Sequence, residues 1–445
     1  MEKFIISGGI ALEGSVTISG AKNVALKVLV ASLLTDEELI IHNVPRLRDV
    51  YFMLEVLGHL GVTYTFEGNT VILKNSGVKS ISVPLDVGAR LRTSSMVLGP
   101  LLARCGKAKI PNPGGCRLGA RPIDRHIEGL KLMGATIDYK SEDGFFYAEA
   151  QKLTGAKIEF VKNTHTGTET LLLAAVLAKG TTVLKNAAEE VEIDGLIELL
   201  VKMGARITRS APREITIEGV EELHGVEFTV MPDRNEEVTF AIAAAITKGN
   251  IIVKQSQRTM LTSFLAQCGV AGLLYEAIDE TTTRYFANGT ISPTDVETAI
   301  HPGFMTDWQA PWAILMTQAT GVSTIHETVF ESRFSYVQEL KKMGATIEFY
   351  SPQIKNPEEF YNFNWSDRIE GYHQAIRITG KTPLHDAVLN IDDLRAGATV
   401  VLAALIATGE STVYGIEQVD RGYEQFETRL QGLGANIKRV KEDIV

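Results

Sequence analysis

Lysine and arginine stand at four places in this chain where helix electrostatics disfavours them. A helix N-terminus carries roughly half a positive charge, so Asp and Glu suit its first turn and cations do not. Lys22, in Ser19-Gly-Ala-Lys-Asn, comes directly before the apolar run 24–34. Arg92, in Ala89-Arg-Leu-Arg-Thr-Ser, opens a helical pattern that runs through Leu102. Arg395 follows Asp392-Asp-Leu and opens 396–407, and Arg421 follows Asp420 and opens 422–433. Four such cations suggest helix ends and positive charges converging on a bound anion, an arrangement that suits phosphate and carboxylate. The competing reading is that each pairs with a cap aspartate beside it and faces water. Arg333, in Phe330-Glu-Ser-Arg-Phe, is a weaker candidate of the same kind.

Cys116 lies in Pro111-Asn-Pro-Gly-Gly-Cys-Arg-Leu-Gly-Ala-Arg-Pro, a stretch too rich in turn residues for a helix or central strand. Arg117 and Arg121 flank it, and nearby cations favour the thiolate, so the side chain suits a titrating acid or a nucleophile. An idle loop thiol is the alternative. Cys105 and Cys268 fall in apolar helical stretches and read as core. An odd cysteine count of 3 indicates free thiols in a reducing, cytoplasmic compartment.

Asp307 sits between Thr306 and Gln309, which have capping-box spacing, so the simpler reading makes it a helix-dipole partner. Asp233 and Glu236 read likewise as a cap and its partner. Other chemistries find no support. There is no phosphate-binding Walker loop, no complete dinucleotide fingerprint and no serine elbow. The 9 histidines form no metal-ligand set.

These residues need elements to hold them, and an internal repeat supplies the elements. A small-residue helix, a turn and a β-rich strand recur six times, starting near Leu29, Leu98, Leu172, Phe240, Trp312 and Leu402. Turn glycines Gly106, Gly180, Gly249 and Gly321 recur every 69–74 residues. The interval to Gly409 stretches to 88 because 351–375 is an aromatic-rich insertion. A second helix in each copy ends at Gly61, Gly134, Gly204, Gly344 or Gly434, the pattern of a left-handed C-cap, and alternation then signals a strand. The fourth copy, around Phe264–Glu276 by number 264–276, is degenerate. The repeated helices are apolar on most sides and should be buried. The expected fold is an α/β protein of six helix–strand units, three per domain. Pro232 marks the best crossover. One domain then spans 22–231, and 1–21 with 232–445 makes the second, where strand 4–7 is free to pair.

Composition agrees with a soluble globular protein. The 445 residues are 45% hydrophobic and carry a formal net charge of −10, which disfavours a nucleic-acid-coating or membrane-surface protein. The longest apolar runs, 24–34 and 171–178, are too short to cross a bilayer.

The motifs Gly20-Ala-Lys-Asn, Pro113-Gly-Gly-Cys, Gly119-Ala-Arg-Pro-Ile-Asp, Pro302-Gly-Phe, Asp393-Leu-Arg-Ala and Asp420-Arg-Gly-Tyr-Glu carry a resemblance. The chain resembles the UDP-N-acetylglucosamine 1-carboxyvinyltransferases of the enolpyruvyl transferase family, from Gly8-Gly9 to Gly434-Ala-Asn. The resemblance implies a two-domain inside-out α/β barrel with the active site in the cleft between the domains. It also implies transfer of enolpyruvate from phosphoenolpyruvate to the 3-hydroxyl of UDP-N-acetylglucosamine, which begins peptidoglycan precursor synthesis. No cofactor, metal, nucleic acid or membrane enters that reaction, and the oligomeric state is left open.

By the same resemblance, Lys22 and Asn23 meet phosphoenolpyruvate, and Arg121, Arg395 and Arg421 grip its phosphate and carboxylate. Cys116 is the proposed acid and Asp307 the proposed base. Arg92, Arg121, Pro122, Ile123, Asp124, Arg125, Lys162, Asn163, Thr164, His165, Val329 and Arg333 fall at the sugar nucleotide. Some positions depart from the usual pattern. Glu237 stands where a threonine is usual, which puts an extra carboxylate near the cleft. Thr93 replaces an alanine, 162–167 shifts its glycine, and the 351–375 insertion is unusual. Two rival readings are the related transferase acting on shikimate 3-phosphate and an inactive scaffold of the same fold.

Overall fold

The computed structural model describes residues 2–114 and 122–441. They form two compact units, one from 2–19 and 232–441, the other from 20–114 and 122–231. Each unit has its own apolar core.

Six sheets are seen among the described residues, and one topology recurs in them. In the first five copies the strand that follows each buried helix pairs antiparallel with the second strand of a hairpin. On its other side it pairs parallel with a short strand. In the fifth copy, Gly321–His326 pairs antiparallel with Ala375–Gly380 and parallel with Val296–Glu297. In the first copy, Glu38–His42 pairs antiparallel with Thr70–Asn75 and parallel with Glu227–Thr229. The second copy reduces the parallel strand to a single bridge, Ser82 to Lys109. In the sixth, the N-terminal strand Glu2–Ser7 becomes the middle strand, between Glu410–Tyr414 and Asn436–Lys441.

The buried helices follow from composition. Helix Arg234–Ile246 is buried at every residue, and Leu394–Ile406 at all but its last. Such all-round burial suits the small and branched residues that fill them. The second helices end as the glycines predict, with Gly61 at φ +111° and Gly344 at φ +96°. The fourth copy is less degenerate than its sequence suggests. Gly272, at φ +84°, caps helix Thr262–Ala271 in the same way. No helix among the described residues is long and apolar enough to cross a membrane.

Three expectations fail. Cys105 is exposed, because it is the last residue of helix Leu98–Cys105 and its position lies past the buried face. Arg421 does not open a helix: it ends a 3₁₀ turn, Ile416–Arg421, and the helix runs Phe426–Gly432. Ala375 belongs to a strand, so the insertion proper is 351–374.

Candidate active site

In the unit built from 20–114 and 122–231, Gly20 starts the site. A Cβ there would fall 1.7 Å from the Asn43 carbonyl oxygen, so only glycine lets the chain pass. Lys22 is then the first residue of helix Lys22–Val30, which has no acid in its first turn. Its Nζ lies 2.7 Å from Oδ2 of Asp49, and both side chains are buried. Lys22 therefore neither pairs with an adjacent cap nor faces water. Asp49, in the first turn of helix Arg48–Leu60, escaped the sequence reading because its partner lies far along the chain. Asn23 is half-buried beside Lys22.

The second cluster of this unit brings several expected residues together. Arg92 begins the 3₁₀ segment Arg92–Val97 and donates to the Pro122 carbonyl at 3.2 Å. Ile123 is buried, and Asp124 opens helix Asp124–Leu132. Arg125 donates to the Asn163 carbonyl at 3.3 Å. Burial weakens the hold of Arg125 on its proton, while Asp124 and Glu128 oppose the effect. Asn163 in turn donates to the Asn186 carbonyl at 3.0 Å. Lys162 is half-buried, and Thr164 caps helix His165–Ala175, its hydroxyl accepting the Gly167 N–H at 3.2 Å.

His165 Nδ1 lies 3.4 Å from Glu169, whose other oxygen lies 3.2 Å from Lys27 Nζ. Burial, the largest influence, pulls the His165 pKa down, but the Glu169 and Glu190 carboxylates together outweigh it and hold the imidazole above its ordinary value. The Lys27–Glu169 pair thus ties the helix that starts at Lys22 to the helix that starts at His165.

Gly114 is the last described residue before Cys116, Arg117 and Arg121, which lie outside the described residues. A Cβ at Gly114 would fall 1.7 Å from the Ala89 carbonyl oxygen, so that approach also requires glycine.

In the other unit, Asp307 lies in the first turn of helix Thr306–Thr317. Arg333 donates to its Oδ1 at 2.5 Å, and Arg395 Nη2 lies 3.7 Å from its Oδ2. Both arginines are buried. The capping-box reading fails. The Thr306 hydroxyl donates to Glu327 at 2.8 Å, and the Gln309 amide donates to the Arg333 carbonyl at 2.9 Å. Both side chains serve the Arg333 segment instead. The Glu327 carboxylate also accepts the N–H groups of Val329 and Phe330, at 2.8 and 3.0 Å. Burial raises the Glu327 carboxyl above its ordinary range, against Arg333 and those N–H groups.

Arg395 lies one residue inside helix Leu394–Ile406. Asp393 caps that helix through two N–H bonds of 3.0 Å. The Arg395 guanidinium goes elsewhere, donating to Tyr423 at 3.0 Å. The Tyr423 hydroxyl is 2.8 Å from that of Thr239. Burial opposes the charge on Arg395, but Tyr423, Asp307 and Asp233 outweigh it and raise its pKa. Arg421 donates to Gln418 at 3.2 Å, whereas its neighbour Asp420 pairs with Arg439 at 2.6 Å. For Arg395 and Arg421, as for Lys22, the guess of an adjacent aspartate as partner does not hold.

Two further expectations meet the geometry. Asp233 caps helix Arg234–Ile246, but Glu236 turns to the Ser19 N–H and to Arg429 rather than back to the cap. Glu237 does not reach an open surface. It is fully buried, accepting from Ser256 and the Gln257 N–H at 2.5 Å and from Tyr285 at 2.7 Å. It faces inward because, as the fourth residue of that helix, it lies on the side packed against strands Asn250–Lys254 and Thr282–Ala287. Among the described residues, no three His, Cys, Asp or Glu side chains gather as a metal-ligand set.

Comparison with known proteins finds relatives of this chain over nearly its whole length. The family model described as EPSP synthase (3-phosphoshikimate 1-carboxyvinyltransferase) matches residues 6–430. A UDP-N-acetylglucosamine 1-carboxyvinyltransferase of Acidobacterium capsulatum is 42% identical over 444 residues, covering 99% of this chain and 96% of the relative. One from Solibacter usitatus is 42% identical over 442 residues, covering 99% of this chain and all of the relative. Among solved structures, the enolpyruvyl transferase NikO from Streptomyces tendae matches with a TM-score of 0.86 at 23% identity, covering 99% of each chain. EPSP synthase from Acinetobacter baumannii matches with a TM-score of 0.73 at 19% identity, covering 99% of this chain and 100% of that one. At those identities the structural likeness speaks for the fold.

Proposed function

This chain belongs to the UDP-N-acetylglucosamine 1-carboxyvinyltransferase family, and we infer from that premise that it transfers the enolpyruvyl group of phosphoenolpyruvate to the 3-hydroxyl of UDP-N-acetylglucosamine, releasing phosphate. That is the first committed step of peptidoglycan precursor synthesis. The observation that carries the reading is 42% identity over nearly the whole length of the chain.

The chemistry assigns each residue a task. A proton delivered to the methylene carbon of phosphoenolpyruvate makes an oxocarbenium-like centre at the neighbouring carbon. The sugar 3-hydroxyl attacks that carbon as its own proton passes to a base, giving a tetrahedral adduct. Loss of a methyl proton and departure of phosphate then restore the double bond. Cys116 is assigned the proton delivery and Asp307 the proton acceptance. Lys22, Asn23, Arg121, Arg395 and Arg421 hold the substrate anion. Those side chains are held in place before reaction, so they can stabilise the charge that develops as phosphate departs. The segments around Arg92, 121–125 and 162–165, with Val329 and Arg333, take the sugar nucleotide. In this reading the two units act on one pair of small-molecule substrates.

Incubating the protein with phosphoenolpyruvate and either UDP-N-acetylglucosamine or shikimate 3-phosphate, and following phosphate release, tests the reading. Release with the sugar nucleotide alone is expected. Release only with shikimate 3-phosphate, the acceptor in the description of the matching family model, would replace it. No release with either would leave an inactive scaffold.

A further inference from the structure

In four of the repeats a tight turn joins the two strands of the hairpin: residues 68–69, 141–144, 212–213 and 278–281. In the fifth repeat the same hairpin, Thr346–Tyr350 with Ala375–Gly380, is joined by 351–374. Tyr350 and Ala375 are direct cross-strand partners, so the sheet itself needs none of that segment. Its residues instead bind the stretch 327–333.

Backbone contacts do most of this. The Asn362 N–H donates to the Thr328 carbonyl at 2.8 Å, and the Ile369 N–H donates to the Glu331 carboxylate. The Gln374 carbonyl accepts the Glu327 N–H at 2.7 Å, and its side-chain amide donates to the Glu331 carbonyl at 3.3 Å. Aromatic packing stiffens the segment. Tyr361 and Trp365 stack at 4.6 Å, Phe360 stacks on His326 at 5.4 Å, and the Tyr361 hydroxyl lies 3.0 Å from His326 Nε2. On its far side, 327–333 is tied to the start of helix Thr306–Thr317 through Glu327–Thr306 and Arg333–Asp307.

We propose that 351–374 is a positioning element for the reaction: it braces 327–333, and so holds Val329 and Arg333 for the sugar nucleotide and, through Arg333 and Glu327, fixes Asp307. The inference rests on the functional reading above. It explains why a hairpin that elsewhere closes in a few residues carries an aromatic cluster here. A segment held on both sides cannot drift, and about 1 Å of drift at a reacting group costs on the order of 10²-fold in rate.

The test replaces 351–374 with the Gly68-Asn69 turn of the first repeat, which joins an equivalent hairpin. The chimera should stay folded by circular dichroism. Its kcat/KM for UDP-N-acetylglucosamine should fall on the order of 10²-fold, with the KM for phosphoenolpyruvate little changed. Amide exchange at Glu327, Val329 and Phe330 should quicken, while helix Leu394–Ile406 keeps its protection. Glu331→Ala, with the insertion intact, should move the same quantities less, and Glu331→Gln should restore them because its amide oxygen still accepts the Ile369 N–H. A folded chimera with parental kinetics and parental exchange overturns the proposal. Should the chimera not fold, unchanged exchange and KM in Glu331→Ala overturn it. If the parent shows no transfer to the sugar nucleotide, the functional reading has failed. The exchange data then judge the brace by themselves: quickened exchange supports it and unchanged exchange removes it.

Discussion

Arg333 donates to Asp307 at 2.5 Å, and Arg395 stands 3.7 Å from the other oxygen of the same carboxylate. A carboxylate held by one guanidinium and approached by a second is fixed in orientation. Asp307→Asn keeps the shape and an acceptor oxygen but cannot take a proton. We expect kcat to fall by about 10²–10⁴-fold, together with a lower melting temperature, because buried Arg333 loses its counter-charge. Steady-state kinetics beside a thermal melt decide this, and a near-parental kcat would remove Asp307 as the base.

Lys22 and Asp49 make the corresponding pair in the other unit, 2.7 Å apart and buried. Lys22→Ala removes the charge offered to the substrate and leaves Asp49 buried beside a void. Lys22→Arg keeps the charge but changes its geometry. Activity should therefore rank parent, then Arg, then Ala. Equal phosphate release from Lys22→Ala and the parent would take Lys22 out of the site.

The Lys27–Glu169 pair is a matter of stability. Both side chains are at most 2% exposed. Breaking a buried pair is costly, but His165 stays 3.4 Å from Glu169 when Lys27 is removed, so Lys27→Met should cost up to about 3–5 kcal/mol. Adding Glu169→Leu removes the carboxylate left without Lys27 and should recover part of that loss, since it also takes away the partner of His165. Denaturant titration of the two single variants and the double variant measures the coupling. Losses that simply add would show that the pair is not coupled.

Glu237 gives a pH prediction. Burial raises its carboxyl above the ordinary value, against the opposing pull of Ser256, Tyr285 and Gln257. A carboxyl with a raised folded pKa binds its proton more tightly in the folded state. Its contribution to stability therefore falls as pH rises from about 4.5 through the raised value. Glu237→Gln abolishes that titration. The stability of the variant relative to the parent should thus increase with pH across the window and stay level below it. Urea unfolding followed by the fluorescence of Trp308 and Trp312, at several pH values, reads the difference. A gap that is flat or shrinks as pH rises would be inconsistent with a buried titrating Glu237.

The repeat was legible because its signals are local. Helix period, strand alternation and the glycines after each second helix depend on near neighbours, so Gly61 and Gly344 could be read directly. The same locality explains the misses. Thr306 and Gln309 have the spacing of a capping box, yet their hydrogen bonds go to Glu327 and Arg333, which spacing cannot reveal. Asp420 is adjacent to Arg421 but belongs to Arg439, across the sheet. Lys22 and Arg395 were found as cations in unfavourable places, whereas their partners Asp49 and Tyr423 were not. A chain shows where a charge is awkward more readily than it shows what relieves it.

Cys116 separates the sharp and the simple readings most clearly. If its task is to deliver a proton, an ionisable acid is required there and sulfur is not. Cys116→Asp should then keep substantial turnover with a lower pH optimum, because a carboxyl titrates below a thiol. Cys116→Ser should lose far more, since an alcohol is too weak an acid near neutral pH. The other thiols give the control for chemical modification. Cys268 is buried, and burial pushes its thiol well above the ordinary value, whereas Cys105 is exposed and open to the reagent. The alkylation experiment therefore belongs in a Cys105→Ser background. There a small electrophilic phosphonate should inactivate the enzyme in step with labelling of Cys116, and phosphoenolpyruvate should slow it. The same background carrying Cys116→Asp should resist. Full activity in Cys116→Ser, or equal inactivation of the Cys116→Asp variant, would return this residue to the status of an idle loop thiol.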